Sequence, residues 1–138
     1  MARRFLVVLV SCCVLFGGVA SADACTRQSS SVYVVLSSVK YPQTTDHILD
    51  AQRAGEAALL HIDRENEELH RSQSLAGFPT KPGYDRDEYP PAMSREGGTG
   101  ASVRYVTPAD NRGAGATMGN ALEPYCEDQP FRFRIVSG

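Results

Sequence analysis

Two cysteines, Cys25 and Cys126, limit what this chain can fold into more than any other feature, because a bond between them ties the start of the folded part to its end. The pairing follows from residues 1–24, MARRFLVVLVSCCVLFGGVASADA. A basic start (Arg3, Arg4), an apolar run from Phe5 to about Val19 and small residues before a cut make this a secretory signal peptide. Cleavage after Ala22 or after Ala24 meets the small-x-small requirement; the second is preferred and leaves residues 25–138 as the folded domain. Cys12 and Cys13 depart with the signal, and two thiols in an oxidising compartment most simply form one disulfide. It closes a loop of about a hundred residues and contributes on the order of 4 kcal/mol in the chain-entropy picture. Two cysteines so far apart, without a neighbouring histidine, make no zinc spacing. The apolar run is too short for a membrane anchor, and Ala22 with Asp23 fits a lipid-attachment signal poorly. The mature chain is expected to be secreted, monomeric and free of the membrane.

Cleavage after Ala22 removes Arg3 and Arg4 but no acid, so the formal charge moves from -2 to about -4. Long-range attraction to nucleic acid is therefore weak, and any phosphate affinity must come from a local cluster. Roughly 115 mature residues suffice for one domain with one modest core.

Residues 31–39 (SVYVVLSSV) read as a strand ended by Tyr41-Pro42. From Thr45 the spacing of Ile48, Leu49 and residues 51–54 predicts an amphipathic helix that Gly55 ends or interrupts. Residues 61–74 carry both charge signs, with Glu67 and Arg71 placed for an i,i+4 pair, and read as an exposed helix or turn. Two prolines and two glycines make residues 75–84 a loop. Residues 101–107 read as a half-buried strand with Val103 and Tyr105 on one face, stopped by Pro108. A glycine-rich helix capped by Asp110 is expected near Asn111, its glycines suited to close backbone approach. FRFRIV (131–136) alternates like a final edge strand.

Chemistry concentrates between Asp85 and Asn120, where an acidic cluster (DRDEYPPAM) and an Asn-containing segment (TPADNRGAGATMGN) flank ASVRYV. This order suits metal-assisted phosphodiester cleavage, which needs a base for water, an oxygen donor for a hard divalent cation, and cations for phosphate. Asp87 or Glu88 fits the base, Asn111 the metal donor, and Arg86 with Arg112 the cations. Glu96 is a second candidate ligand, while Arg104 and Asn120 are candidate phosphate contacts. Each has an ordinary structural alternative: a solvated acidic turn, a helix cap at Asn111, a backbone bond at Glu96, ion pairs at the arginines. Asp85, Asp87 and Glu88 lie close enough to repel, which raises at least one pKa. His47 reads as a helix-surface residue, and His61 and His70 lack zinc spacing, so no histidine is assigned to catalysis. Tyr84 and Tyr89 read as packing residues. No phosphate-cradling P-loop, dinucleotide fingerprint or GxSxG elbow occurs.

In KPGYDRDEYP (81–90), EGG (96–98), ASVRYVTPADNRGAGA (101–116) and GN (119–120), with the earlier YP and SLAGFPT, the chain resembles the NucA/NucB-type secreted bacterial deoxyribonucleases over nearly all its mature length. The resemblance implies an α+β fold: a small single domain with a ββα-metal-like nuclease core. There a strand delivers the base, a second strand follows, and a helix supplies an Asn that holds one divalent cation, Mg2+ or Mn2+. It also implies endonucleolytic hydrolysis of DNA with little sequence preference, contact through the phosphate backbone, and 5′-phosphate ends. Larger nucleases with that motif carry DRGH where this chain has Asp85-Arg86-Asp87-Glu88, so Asp87 or Glu88 replaces the histidine, and Asp87 is favoured, assisted by Glu88 and Arg86. Several relatives place cysteines where this chain has Leu60 and Ser94, which leaves stability to Cys25 and Cys126. The competing reading is a noncatalytic secreted binding or inhibitor module on the same scaffold.

Overall fold

The computed structural model describes residues 25–138; the signal peptide read from residues 1–24 lies outside them. The elements run β1 (Val32–Ser37), α1 (Pro42–Arg53), β2 (Leu60–His61), α2 (Glu67–Ser74), β3 (Asp85–Tyr89), β4 (Ser102–Val106), α3 (Pro108–Leu122) and β5 (Pro130–Val136). They build a small α+β domain from a three-stranded sheet, ordered β1-β5-β2, and the antiparallel pair β3-β4, which α3 follows directly. Among the described residues no helix is long and apolar enough to cross a membrane.

β1 alternates as its sequence predicts, with Val32, Val34 and Leu36 buried and Tyr33 and Val35 exposed. β5 is not an edge strand: it lies between β1, to which it runs parallel, and β2, to which it runs antiparallel. Alternation in FRFRIV reports which face is buried, and Phe131, Phe133 and Ile135 do pack the core, but it carries no count of neighbouring strands. In β4 the fully buried residue is Val106, whereas Tyr105 packs on Phe78 and Tyr84 of the 75–84 loop.

The termini are joined as expected, with Cys25 bonded to Cys126 across a sequence separation of 101. Gln129, fully buried, reinforces the tie: its Oε1 accepts the Gln28 N–H at 2.7 Å and its Nε2 donates to the Ser30 carbonyl at 2.9 Å.

α1 begins at Pro42, three residues earlier than its apolar spacing implies, because proline's preset φ suits the first helical position. Its buried stripe is Thr44, Thr45, His47, Ile48 and Ala51, so His47 is an interior residue and not a surface one. α1 has no side-chain cap of its own. Its first free N–H groups are met from α3 instead, where the buried Asp110 carboxylate accepts from Gln43 at 2.9 Å and Thr44 at 3.0 Å. α3 itself starts at Pro108, and Asp110 therefore caps the other helix.

The glycines of α3 divide by environment. A Cβ at Gly113 would meet Cε1 of the buried Tyr41 at 2.6 Å, whereas one at Gly119 would meet nothing within 4 Å. Gly113 alone of the two is a point of close helix approach. We expect Gly113→Ala to lower stability by about 1–3 kcal/mol in urea unfolding, overpacking outweighing helix propensity, and Gly119→Ala to raise it by about 0.5–1 kcal/mol. Asp110→Ala should cost about 2 kcal/mol by the same measurement, with Asp110→Asn intermediate because one acceptor oxygen remains.

Candidate active site

A cleft of about 450 Å³ opens along β3 and is shared with α2 and α3. Strand alternation divides the acidic cluster between two sides: Asp85, Asp87 and Tyr89 on one, Arg86 and Glu88 on the other. Each carboxylate therefore meets different partners and acquires a different character.

Asp85 faces α3. Arg112 clamps it with two bonds, Nε to Oδ2 at 2.8 Å and a terminal nitrogen to Oδ1 at 3.0 Å. These bonds hold Asp85 below the usual carboxylate range against the opposing effect of burial, with Asn111 lowering it further. An ionised carboxylate only accepts, so the group that Asn111 can offer to Asp85 is its amide NH2, and its carbonyl oxygen is the atom suited to a cation.

Asp87 faces α1, where Nδ1 of His47 lies 2.7 Å from its Oδ2. The other ring nitrogen of His47 lies 3.0 Å from the Ser102 hydroxyl on β4. Tyr89, next on this face, is buried; its hydroxyl donates to the Ala57 carbonyl at 2.8 Å and accepts from Gln52 at 2.6 Å, as a packing residue's would.

Glu88 faces α2. Burial raises its pKa from 4.5 to about 7, with Arg71 opposing from 3.7 Å and the Asp87 charge adding to the rise. Its Oε2 bonds the Ser74 hydroxyl. The expectation that crowding lifts one carboxylate of the cluster thus holds at Glu88, with burial as the larger cause. Arg86 donates to the Phe78 carbonyl at 2.8 Å and has no carboxylate within ion-pair distance among the described residues.

Asp85, Arg86, Asp87, Glu88, Asn111 and Arg112 all line the cleft; Glu96, Arg104 and Asn120 do not. Glu96 accepts from the His61 backbone N–H at 2.9 Å and pairs with its ring at 2.7 Å. Arg104 reaches across β4 to Asp46 and Asp50 on α1, holding Asp50 below its usual range. Asn120 sits exposed near the end of α3.

His47, Arg71 and Ser74 were missed. The i, i+3, i+4, i+7 spacing of Thr44, His47, Ile48 and Ala51 was the available signal that His47 turns inward. For Ser74 no local signal exists, since it meets Glu88 only through the packing of α2 on β3.

The deoxyribonuclease NucA/NucB family profile matches residues 50–131, which include all of β3, β4 and α3. A DNA-entry nuclease of Bacillus subtilis (strain 168) is 46% identical over 117 residues, covering 83% of this chain and 80% of that protein. With the cleft's acidic strand and its Asn111 helix inside the matched stretch, the chain belongs to the NucA/NucB deoxyribonuclease family.

Proposed function

We propose that this chain is a secreted, metal-dependent endonuclease that hydrolyses DNA with little sequence preference. The observation that carries the reading is the shared face of β3: Asp87, anchored through one oxygen, stands two residues from Asp85, and Asn111 and Arg112 of α3 line the same cleft. A carboxylate base and a hard oxygen donor thus border one cleft with Arg86, which has no carboxylate partner among the described residues.

Among the described residues no three His, Cys, Asp or Glu side chains cluster as a metal cage. A cage is not what magnesium or manganese requires, since such ions keep several waters and take few protein donors. The free carbonyl oxygen of Asn111 fits that demand, and it is the residue we assign to one divalent cation. When bound, the cation supplies charge neutralisation at the scissile phosphate and at the departing 3′ oxygen.

Asp87 takes a proton from the attacking water, whose oxygen bonds to phosphorus as the P–O3′ bond breaks. The 3′ oxygen leaves with the bonding electron pair and takes a proton from solvent water in the open cleft, so the products are a 5′-phosphate and a 3′-hydroxyl. Arg86 binds the phosphate, and Arg112 keeps Asp85 ionised and so keeps Asn111 oriented. Contact through phosphate and groove shape fits the lack of base-reading motifs. The signal peptide read from the sequence and the Cys25–Cys126 bond support secretion.

A second reading makes Glu88 the base, favoured by a pKa of about 7 near working pH. Conversion of supercoiled plasmid to nicked and linear DNA separates the readings. Cutting should require Mg2+ or Mn2+, stop with chelator, fall about 1,000-fold in Asp87→Asn and Asn111→Ala, and fall less than about tenfold in Glu88→Gln. Survival of cutting in Asp87→Asn with loss in Glu88→Gln would move the base to Glu88; no cutting by the folded wild type with either metal would favour a binding module.

Glu88 also sets a pH dependence of stability. Its folded pKa lies above its unfolded one, so its contribution is complete below about 4.5 and is lost as pH rises through about 7. Relative to Glu88→Gln, the wild type should lose about 3 kcal/mol of unfolding free energy between pH 4.5 and pH 8, measured by urea titration at each pH.

A further inference from the structure

We propose that His47 is a positioning residue, a buried imidazole that fixes the Asp87 carboxylate from behind and is itself fixed by Ser102. The inference rests on the reading of Asp87 as the base and adds what makes that aspartate competent.

His47 has no exposed surface, and every polar atom of its ring is used. Nδ1 meets Oδ2 of Asp87 at 2.7 Å and Nε2 meets the Ser102 hydroxyl at 3.0 Å. Ionised Asp87 can only accept, so Nδ1 carries the hydrogen. Ser102 can donate or accept, and in the arrangement proposed it donates to a bare Nε2, so that both ring nitrogens are satisfied.

The geometry divides the labour of the carboxylate. Oδ2 is tied to His47, while Oδ1 has no hydrogen-bond partner among the described residues and belongs to a side chain that lines the cleft. One oxygen is thus an anchor and the other is free to take a proton. A short carboxylate on a strand otherwise has a broad terminal torsion, and misplacement of a reacting group by about 1 Å can cost on the order of 100-fold. His47 is held in turn by α1, which Asp110 secures from α3 and Arg104 secures from β4 through Asp46 and Asp50.

The test uses the full mature chain, with plasmid cutting in Mg2+ and thermal unfolding for His47→Leu, His47→Asn, Ser102→Ala and Asp87→Asn. His47→Leu should lower kcat about 100-fold with KM changed less than about twofold, since the substrate is not touched. His47→Asn, whose side-chain N–H replaces Nδ1–H, should recover kcat to within about fivefold of wild type. Nitrogen-15 spectra of the wild type should show His47 protonated on Nδ1 and bare on Nε2. Ser102→Ala should weaken that tautomer preference. A folded His47→Leu with wild-type kcat beside an inactive Asp87→Asn would overturn the proposal and leave the Asp87 reading standing. Wild-type kcat in Asp87→Asn would instead remove the reading and the proposal with it. A His47→Leu chain that does not fold hands the decision to the spectra, where a proton on Nε2 alone overturns the role and a proton on Nδ1 supports it.

Discussion

The buried carboxylate of Asp110 is the contact on which the arrangement of this domain turns. It sits in the first turn of α3 yet accepts the free N–H groups at the start of α1, so that one anion is placed at two helix N-termini. Tyr41, just before α1, closes the same junction by resting on Gly113 and bonding Thr117 at 2.9 Å. With α1 held against α3 and spanned by Arg104 from β4, His47 is carried to Asp87. Remove the junction and the acidic strand loses the element that orders it.

That order explains how three carboxylates within four residues remain chemically distinct. In an extended chain in water they would differ only by their mutual repulsion. On β3 the pleat separates them, and each is then set by its neighbour: Asp85 held ionised by Arg112, Asp87 tied to a buried imidazole, Glu88 raised by burial against α2. The mildly acidic chain needs no broad basic surface for this. Arg86, which has no carboxylate partner among the described residues, supplies local positive charge at the cleft, while Arg104 and Arg112 serve first as ties between elements.

Much was legible without coordinates. The disulfide followed from compartment and count; the β1 strand, the 75–84 loop, β4 and the acidic cluster followed from composition and period. The misreadings share one cause, that local patterns describe a residue's own element and not its partner in space. Asp110 has the composition of a cap, but which helix it caps depends on how two helices meet. FRFRIV has the alternation of any half-buried strand, and its central place comes from a parallel pairing with residues about a hundred positions away. Glu96 and Arg104 have the chemistry of a site but turn to His61 and to α1.

By itself, then, the sequence determined the kinds of groups available: an acidic strand, an asparagine-bearing helix following it, arginines beside both and one disulfide. It did so because hydrophobic period, turn residues and cysteine count act over short range or by simple counting. The tertiary structure alone decided which acid is ionised, which is raised and which is anchored. Burial and hydrogen bonding set those states, and both come from residues that meet only when α1, α2 and α3 pack on β3.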